Sequence, residues 1–522
     1  MKSAEIRPPN ILFILSDDQG PWAMGCAGNS EIRTPNLDRL AKSGVRFDHF
    51  FCASPVCSPA RASIMTGRIP SAHGVHDWLK TGNTTAKYEP EGAGRLIEYL
   101  AGMPGYTDYL AAAGYTCGIS GKWHLGDCHH PQKGFSWWEV HAKGGAPYYG
   151  APMVHNGETY EEPRYVTDAI TDNALGFLDE WAAGPDYPSP TLPATERGRL
   201  WAVPGLPPLR CGEGWGGVVR SPFYLSVHYT APHSPWSRDQ HPAEIYSNYY
   251  DNCPFDSVPN LIAPPEWVRA IQRPVEDAEK RREILSGYYA AVTAMDANVG
   301  RLLDRLEEHG LREETMVVFM SDNGMCMGHH GCHGKGNATT PLNMFEESVK
   351  VPCIISQPGR IPEGVVCSEL LSQYDFMPTL LDYVGIENPQ AETLPGRSFV
   401  PLLLGESAEG REQVVVFDEY GPTRMVRTKE WKYVHRYPDG PNELYDLRTD
   451  PTEQTNLVSD RSGVGEGESG RGGDPGYGAV VEEMRGRLSD FFARYADPAR
   501  DGKGLPVAGA GQAGLVGEAK FY

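Results

Sequence analysis

The chain has a deficit of positive charge. Its 522 residues include 47 lysines and arginines against 68 aspartates and glutamates, which gives a formal net charge of −21. Such a chain lacks the basic face that a nucleic acid requires, so we expect no nucleic-acid partner. A net charge of this sign also repels an anionic substrate at long range. Such a substrate therefore needs a local cationic pocket.

Long hydrophobic runs are also missing. Residues 1–9 (MKSAEIRPP) are polar, and the apolar run that follows, Ile11 to Leu15, is too short for a signal peptide or a membrane helix. We therefore expect a cytoplasmic protein without a membrane partner.

Cysteine is present but shows no disulfide framework. The eleven cysteines are an odd number without the spacing of zinc fingers or redox pairs, so most are expected to be free thiols. With 40% hydrophobic residues, the chain is long enough to bury a large core and to form more than one domain. The sequence makes no prediction of oligomeric state.

Short apolar runs alternate with helix signals along most of the chain. Ile11 to Leu15, Gly114 to Ser120, Phe223 to Tyr229 and Thr315 to Met320 are typical of strands buried on both faces. Thr34 to Ala41 begins a helix with proline in its first turn. This alternation predicts an α/β fold with a large, mostly parallel sheet flanked by helices.

The pattern changes near Val414. We expect a catalytic α/β domain over residues 1–413, with a proline- and glycine-rich insertion at 184–217. Short strands separated by turns and a helix across Val480 to Tyr495 predict a smaller C-terminal α+β subdomain with an antiparallel sheet, over 414–500. The segment from Ser462 to Gly478 and the tail at 501–522 are predicted to be flexible.

Polar residues follow several of the predicted strands. They are Asp17-Asp18, Lys122-Trp123-His124, Pro232-His233 and Asp322-Asn323. Ligand sites in open α/β sheets lie beyond the carboxyl ends of the strands, so we expect these residues to meet at one site.

The run from Cys57 to Arg68 (CSPARASIMTGR) is the most informative segment. A free cysteine is ordinarily a buried small hydrophobe, but neither packing nor strand formation requires Pro59, Arg61 and the triplet Thr66-Gly67-Arg68 beside it. The run resembles the signature of type I sulfatases, C-x-P-x-R followed by a small apolar stretch and T-G-R. That family belongs to the alkaline phosphatase superfamily, so the resemblance implies an alkaline-phosphatase-like fold.

The resemblance also implies a modified residue. In this family a maturation enzyme oxidises the cysteine to formylglycine (3-oxoalanine), an aldehyde that hydrates to a gem-diol. One oxygen of the gem-diol attacks sulfur, and the other expels the bound sulfate by re-forming the carbonyl. Cys57 is thus the implied precursor of the nucleophile, and a formylglycine-generating enzyme is the implied maturation partner.

Further segments between residues 8 and 460 extend the resemblance. Gly114 to Gly126 resembles the second sulfatase signature, residues 231–235 (APHSP) resemble a P-H-x-P segment, and residues 331–335 (GCHGK) resemble a G-x-x-x-K element. The catalytic residues that these elements imply are Cys57, Arg61, Lys122, His124, His233 and Lys335.

The family assigns a role to each of these side chains. Lys122 and Lys335 would bind sulfate oxygens, and His124 would hydrogen-bond the gem-diol and take its proton when sulfate leaves. His233 would contact the leaving-group oxygen, and Arg61 would hold the formylglycine. Together these cations form a cradle for one tetrahedral oxyanion.

Four oxygen donors form the candidate metal set. Asp17, Asp18, Asp322 and Asn323 are hard ligands of the type that Ca²⁺ or Mg²⁺ prefers. Adjacent acids alone are more often turn or cap residues. Beside the Cys57 run, however, they match the sulfatase metal set, in which the formylglycine oxygen at Cys57 completes the coordination. The resemblance implies Ca²⁺, with Mg²⁺ as the alternative, and Asp322 as a candidate base.

Candidate substrate-binding residues are Asp77, Trp78, His329, His330 and His333. The indole of Trp78 offers a stacking surface for a sugar ring. The three histidines are also a candidate transition-metal site, although no helical or strand spacing fixes their geometry. Aromatic and polar side chains suit a sulfated saccharide, and an aromatic with an acid also suits a quaternary ammonium sulfate.

We therefore expect a sulfuric ester hydrolase that acts on a small sulfated substrate, with a carbohydrate O-sulfate preferred to aryl or choline sulfate. One alternative is a phosphonate monoester or phosphodiester hydrolase, which shares the fold and the formylglycine. Asn323 and the pair Asp17-Asp18 favour the sulfatase. A second alternative is a metal-binding pseudo-enzyme in which Cys57 stays unmodified.

Overall fold

A computed structural model of the chain describes residues 8–84, 94–184, 220–260, 262–271, 277–417, 422–458, 476–504 and 510–516. Except for Gly184, the predicted insertion at 184–217 lies outside the described residues. The same holds for most of the predicted loop from Ser462 to Gly478.

The described strands are short, as the length of the apolar runs predicts. They are β1 (Asn10–Ser16), β2 (Val45–Phe47), β3 (Phe50–Phe51), β4 (Thr116–Lys122), β5 (Trp137–His141), β6 (Ala151–His155), β7 (Glu158–Glu162), β8 (Phe223–His228), β9 (Arg269–Ala270), β10 (Thr315–Ser321), β11 (Cys326–Met327), β12 (His333–Gly334), β13 (Thr339–Thr340), β14 (Cys353–Ser356), β15 (Val365–Cys367), β16 (Leu371–Ser372), β17 (Val414–Phe417), β18 (Thr423–Arg427), β19 (Trp431–Arg436) and β20 (Glu443–Asp446).

The described α-helices range from single turns to eight turns. They are α1 (Pro35–Lys42), α2 (Cys57–Thr66), α3 (Pro70–His73), α4 (Tyr106–Ala112), α5 (Val166–Ala183), α6 (Ala243–Asn252), α7 (Ala278–Glu308), α8 (Glu346–Val349), α9 (Phe376–Tyr383), α10 (Val400–Leu403) and α11 (Gly478–Tyr495).

A ten-stranded sheet forms the centre of the predicted catalytic region, in the order β15-β2-β14-β10-β1-β8-β4-β5-β6-β7. The five central strands, from β10 to β5, run parallel to one another. Antiparallel pairs join β14 and β6-β7 to this centre. The predicted mostly parallel sheet is thus confirmed.

Strand β1 shows why the sheet needs helices on both of its faces. Ile11, Phe13 and Leu15 point into one hydrophobic core, and Leu12 and Ile14 point into another. Because successive side chains of a strand point to opposite faces, a continuous apolar run requires cover on both sides. Helix α5 packs on β4 and β8 and against α7, and α4 contacts β4.

The C-terminal region forms a separate four-stranded antiparallel sheet, β17-β18-β19-β20. Helix α11 packs on β18 and β19, which confirms the predicted small sheet with its closing helix. The helix begins at Gly478, two residues before the predicted start. Its Leu488 shares a hydrophobic core with Val426 of the sheet and with Tyr374 of the catalytic region.

The described part of the predicted tail is ordered against the catalytic region. Gln512 has an exposed fraction of 1% and forms a parallel bridge with Leu79. Residues 510–516 therefore differ from the flexible tail that composition predicts, because buried backbone partners satisfy the polar groups of this segment.

The ten cysteines of the described ranges are all free thiols, as expected. None of the described helices combines the length and the apolar character needed to cross a membrane.

Candidate active site

The register of the central strands brings the predicted polar residues together. Ser16 at the end of β1 pairs with Ser321 at the end of β10. The residues that follow, Asp17 and Asp322, are therefore neighbours, and the Asp322 amide donates to the Ser16 carbonyl at 3.1 Å. Lys122 ends β4, two strands away in the same parallel set.

Cys57 is the first residue of α2, a helix whose ten residues are all buried. Val56 precedes it in an extended conformation, and Gly67 ends the helix with a φ of 66°, in the left-handed region that glycine adopts without strain. Arg61 follows Cys57 by one helical turn, so both side chains lie on the same face of the helix. The invariant spacing of a helix thus delivers the thiol and the guanidinium to one place.

Three carboxylates converge beside the thiol. Oxygen atoms of Asp17, Asp18 and Asp322 lie within 4.8 Å of one another, and all three side chains are buried. The Cys57 Sγ lies 4.0 Å from Asp18 Oδ1. The Asn323 amide donates to the same Asp18 oxygen at 2.8 Å. All four predicted oxygen donors therefore belong to one cluster.

Each buried carboxylate is paired with a buried cation: Asp17 with Lys122, Asp18 with Lys335, and Asp322 with Arg61. The ammonium of Lys335 also lies 2.9 Å from Cys57 Sγ and 3.2 Å from Asn323 Oδ1. Charges withdrawn from water are costly unless they are paired. The pairing therefore explains how six ionisable groups are accommodated in the interior.

The charges set the protonation of the cluster. Burial opposes the ionisation of Asp17, but the neighbouring cations, Lys122 first, hold the pKa of Asp17 well below its usual range. Burial and the charge of Asp17 raise the pKa of Asp322 to about 7. Burial, followed by the negative charge of Asp17, raises the pKa of the Cys57 thiol to about 12. Without a bound cation, the thiol is therefore protonated at neutral pH.

His124 presents an acceptor nitrogen. Its Nε2 lies 3.1 Å from the Leu79 carbonyl oxygen, which can only accept, so Nε2 carries the proton. Its Nδ1 is buried and has no hydrogen-bond partner within the described ranges. Burial, then the charges of Lys122 and Arg61, hold the pKa of His124 well below its usual range, which keeps the ring neutral.

His233 lies in the loop after β8, close to the metal set. Its Nδ1 donates to the Ser234 carbonyl at 2.7 Å, and its Nε2 lies 3.8 Å from Asp18 Oδ2. The Tyr148 hydroxyl donates to the His233 carbonyl at 2.8 Å and so holds this loop. The imidazole therefore presents Nε2 to the site.

Two residues of the site have a left-handed backbone. Asp18 has a φ of 63° and His124 has a φ of 55°. For residues other than glycine this backbone conformation raises the free energy by about 1–3 kcal/mol, and residues that adopt it are found mainly at functional sites. The strain aims both side chains into the same space.

These residues surround a cavity of about 390 Å³. Five of the six predicted catalytic residues line it, and Arg61 lies behind them with Nη1 donating to the Lys122 carbonyl at 2.8 Å. The other lining residues include Trp78, Leu79, Thr81, Lys143, Trp236 and Asn337. Sequence reasoning did not single out Trp236 or Asn337, because neither has a chemical signature of its own.

Of the five predicted substrate-binding residues, only Trp78 lines the cavity. Asp77 is fully buried, and its carboxylate accepts from the amides of Trp78 at 2.7 Å and Gly511 at 3.0 Å. It thus holds the loop that carries Trp78.

The three histidines lie elsewhere. His329 packs against Trp22 with ring centroids 5.2 Å apart, and His330 stacks on Phe345 at 3.8 Å. His330 Nε2 lies 2.9 Å from a Glu347 oxygen, and His333 is buried. None of the three lines the catalytic cavity, and they do not form one cluster with the Asp17 set.

Gln512 is a site-supporting residue that sequence reasoning missed. Its side-chain amide donates to the Gly74 carbonyl at 3.0 Å, and its side-chain oxygen accepts from the His76 amide at 2.8 Å. Its backbone amide donates to the Trp78 carbonyl at 2.8 Å. A Cβ at Gly511 would lie 2.6 Å from the Trp78 ring, so glycine is required there. The C-terminal segment therefore secures one wall of the cavity.

Known proteins match the chain over most of its length. The family model described as Sulfatase matches residues 9–188 and 217–386, and the model described as N-sulphoglucosamine sulphohydrolase, C-terminal, matches residues 338–464. The N-acetylglucosamine-6-O-sulfatase of Bacteroides thetaiotaomicron is 29% identical over 501 residues, which covers 87% of this chain and 83% of that protein. The choline-sulfatase of Rhizobium meliloti is 27% identical over 492 residues, which covers 87% and 83%.

A solved structure shares the fold. It is described as a complex with its substrate D-glucosamine-2-N,6-O-disulfate, and it matches with a TM-score of 0.71 and 24% sequence identity. The match covers 95% of this chain and 99% of that chain. Both the large sheet and the C-terminal sheet therefore have counterparts of known structure.

Proposed function

We propose, from the premise that the chain belongs to the sulfatase family and hydrolyses sulfate esters, that its substrate is a carbohydrate O-sulfate. In this proposal the nucleophile is a formylglycine formed from Cys57, and a divalent cation is bound beside it. The observation that carries the proposal is the junction of Cys57, the three carboxylates and the three cations beside one cavity. A protein that merely stored a thiol in its core would not need this pairing of buried charges.

The oxygen cluster fits a hard divalent cation. Oδ1 of Asp17 is buried without a hydrogen-bond partner among the described residues, so it has an unused acceptor position. Carboxylate and amide oxygens are the donors that Ca²⁺ prefers, and Mg²⁺ is the alternative. Asp17, Asp18, Asp322 and Asn323 would hold the ion. When bound, it polarises the oxygens of the sulfate group.

The chain's own residues supply the remaining chemistry. Hydrated formylglycine at position 57 provides one hydroxyl for attack on sulfur and a second for the release of sulfate. Lys122 and Lys335 bind the oxyanion by charge-assisted hydrogen bonds. The neutral His124 accepts a proton at its partnerless Nδ1, and His233 presents Nε2 to the leaving-group oxygen. Arg61 donates hydrogen bonds to the Asp322 carboxylate and to the Lys122 carbonyl, and it thereby holds these two residues in position.

The charge of the cavity supports a sugar over choline as the leaving alcohol. Asp18 is the only acid among the described residues that line it, whereas Lys122, Lys143 and Lys335 line it as cations. A quaternary ammonium would enter a cationic cavity against repulsion. The indole of Trp78 offers a face on which a sugar ring stacks.

Initial rates with a substrate panel test this function. We expect 6-O-sulfated N-acetylglucosamine to be cleaved with a kcat/KM at least about 10-fold above that of choline sulfate, a difference of ~1.4 kcal/mol. A phenyl phosphonate monoester should be slower still. Preference for choline sulfate would overturn the carbohydrate assignment, and preference for the phosphonate would favour the alternative hydrolase.

Metal removal should abolish turnover reversibly. We expect chelation to inactivate the enzyme, Ca²⁺ or Mg²⁺ to restore it, and zinc not to be required. Asp17→Asn should weaken Ca²⁺ binding, measured by calorimetry, by at least about 10-fold, because one buried anionic donor becomes neutral. Asp304→Asn, at an exposed position outside the cluster, is the matched control. Zinc bound at His329, His330 and His333 and needed for turnover would contradict this assignment.

A further inference from the structure

A second cavity of about 240 Å³ adjoins the catalytic cavity. The two cavities share Leu79, Thr81, His124, Lys143 and Gly144 as lining residues. None of the other residues that line the second cavity belongs to the catalytic or metal set. The residues that line only the second cavity are therefore free to bind another part of a substrate whose ester occupies the first.

The second cavity is cationic in an acidic protein. Lys80 and Lys143 line it, and no aspartate or glutamate does so among the described residues. The whole chain has 68 acidic residues against 47 lysines and arginines. These two lysines, with no acid beside them in the described lining, attract an anionic group locally. This attraction opposes the long-range repulsion from the net negative charge of the chain.

Two histidines add acceptors to this cavity. His141 ends β5 in register with Lys122, and its exposed fraction is only 2%. Its Nδ1 lies 2.7 Å from the Lys143 carbonyl oxygen and 3.2 Å from the Lys143 amide nitrogen. The shorter contact is to an oxygen that can only accept, so it requires the proton on Nδ1, and the buried Nε2 has no partner among the described residues. The Nδ1 of His129 donates in the same way to the Gly157 carbonyl at 2.8 Å.

Buried polar atoms are rarely without a partner, and the Nε2 of His141, in a residue that lines this cavity, has an acceptor position that a donor on a ligand can fill. Burial lowers the pKa of His141 to about 4, which keeps this nitrogen an acceptor at neutral pH. A sugar hydroxyl is such a donor, and it carries no charge that would compete with the lysines. The cavity thus combines positions for hydroxyl groups with positions for an anion.

Gly144 allows the two cavities to lie side by side. A Cβ at this position would lie 2.0 Å from His124 Nε2, a distance that no side chain tolerates. Only glycine therefore lets the loop that carries Lys143 approach His124. His124 and this loop line both cavities.

We propose that the second cavity is a subsite for a second anionic substituent of the saccharide, a sulfate or a carboxylate, beside the ester that is cleaved in the catalytic cavity. Lys80 and Lys143 bind the anion, and His141 accepts from a hydroxyl of the same sugar or of its neighbour. This proposal rests on the proposed function and names the substrate class more closely.

The test compares a 6-O-sulfated sugar with two substrates that carry a second negative charge. The three compounds are 6-O-sulfated N-acetylglucosamine, its 2-N-sulfated counterpart, and a disaccharide in which a uronic acid is linked to the 6-O-sulfated sugar. We expect at least one of the two dianionic substrates to have a KM about 10-fold lower than that of the monoanionic sugar. The two dianionic arms distinguish a sulfate from a carboxylate.

Lys80→Glu is the decisive variant, because Lys80 lines only the second cavity and is exposed. The ratio of kcat/KM for the dianionic over the monoanionic sugar should fall by about 10-fold or more, through KM rather than kcat. Lys42→Glu makes the same charge change at an exposed position of α1 and should leave this ratio unchanged.

Two failures are distinguishable. If no sugar sulfate is cleaved at all while another ester is, the proposed function is wrong. If the sugars are cleaved but neither dianionic substrate is preferred, or if Lys80→Glu and Lys42→Glu change the ratio equally, the subsite is wrong and the proposed function stands.

Discussion

Cys57→Ala should lose sulfate ester hydrolysis by at least about 10⁴-fold in kcat/KM, the order of loss seen when a covalent nucleophile is removed. Alanine has no atom that a maturation enzyme can oxidise. The substitution removes only a buried sulfur whose neighbours are Lys335 and Asp18, so the surrounding charge pairs remain. The fold should therefore persist while activity disappears.

The matched control is Cys117→Ala. Cys117 is also fully buried, but it lies in the hydrophobic core beneath the sheet and does not line the cavity. This variant should keep its activity in proportion to the folded fraction. Similar losses in the two variants would mean that Cys57 acts through packing alone.

Peptide mass around position 57 completes this test. Protein produced with a formylglycine-generating system should carry an aldehyde there, and activity should rise in proportion to the converted fraction. Full activity in protein that retains only the thiol would refute the covalent mechanism. Conversion without any activity would instead support a pseudo-enzyme.

The convergence of the polar residues at one edge of the sheet was predictable because two kinds of sequence signal agreed. Continuous apolar runs marked β1 and β10 as central strands, and parallel strands place the residues after them at one edge of the sheet. Asp17 and Asp322 therefore meet for a reason of topology alone. The Cys57 run added a helix start whose spacing aligns Arg61 with the thiol.

Side-chain direction in loops was not predictable. Asp77 and Trp78 are adjacent, yet Trp78 lines the cavity and the Asp77 carboxylate turns back to accept from the Trp78 amide, as aspartate does in turns. His330 was predicted to contact the substrate, but its ring stacks on Phe345 instead. Local sequence does not encode these choices, because packing from other segments decides them.

Long-range support was equally hidden. Gln512 secures the loop of Trp78 from a point more than 400 residues further along the chain. A glutamine in a glycine-rich tail carries no periodicity or motif that would mark it as buried. Its role follows only from the backbone groups of His76 and Trp78 that need partners.

His233→Ala should steepen the dependence of rate on the leaving group, whereas Lys122→Ala should not. The side chain of His233 has an exposed fraction of 25%, and that of Lys122 has 1%. His233 thus lies toward the opening through which the alcohol departs, and Lys122 lies at the base of the site beside Asp17. His233, with a proton on Nε2 as well as on Nδ1, is therefore the first candidate to protonate the leaving oxygen, and Lys335 is the second.

General acid assistance contributes about 10²–10⁴-fold, and a good leaving group needs little of it. A phenolate departs with little help, and a sugar alkoxide does not. His233→Ala should therefore slow sugar sulfates far more than activated aryl sulfates. Lys122→Ala should slow both by similar factors, because Lys122 binds only non-bridging oxygens in this mechanism.

The measurement is log kcat/KM for each variant against aryl sulfates of graded phenol pKa. Lys122→Ala leaves Asp17 buried without its closest cation, so we expect part of that variant to misfold. The slope of the plot is independent of the concentration of active enzyme, and the comparison survives such losses. Lys335→Ala belongs in the same series, since Lys335 is the second candidate acid. A steeper slope for Lys335→Ala alone would transfer the role to that residue, and parallel slopes for all three variants would exclude both acids.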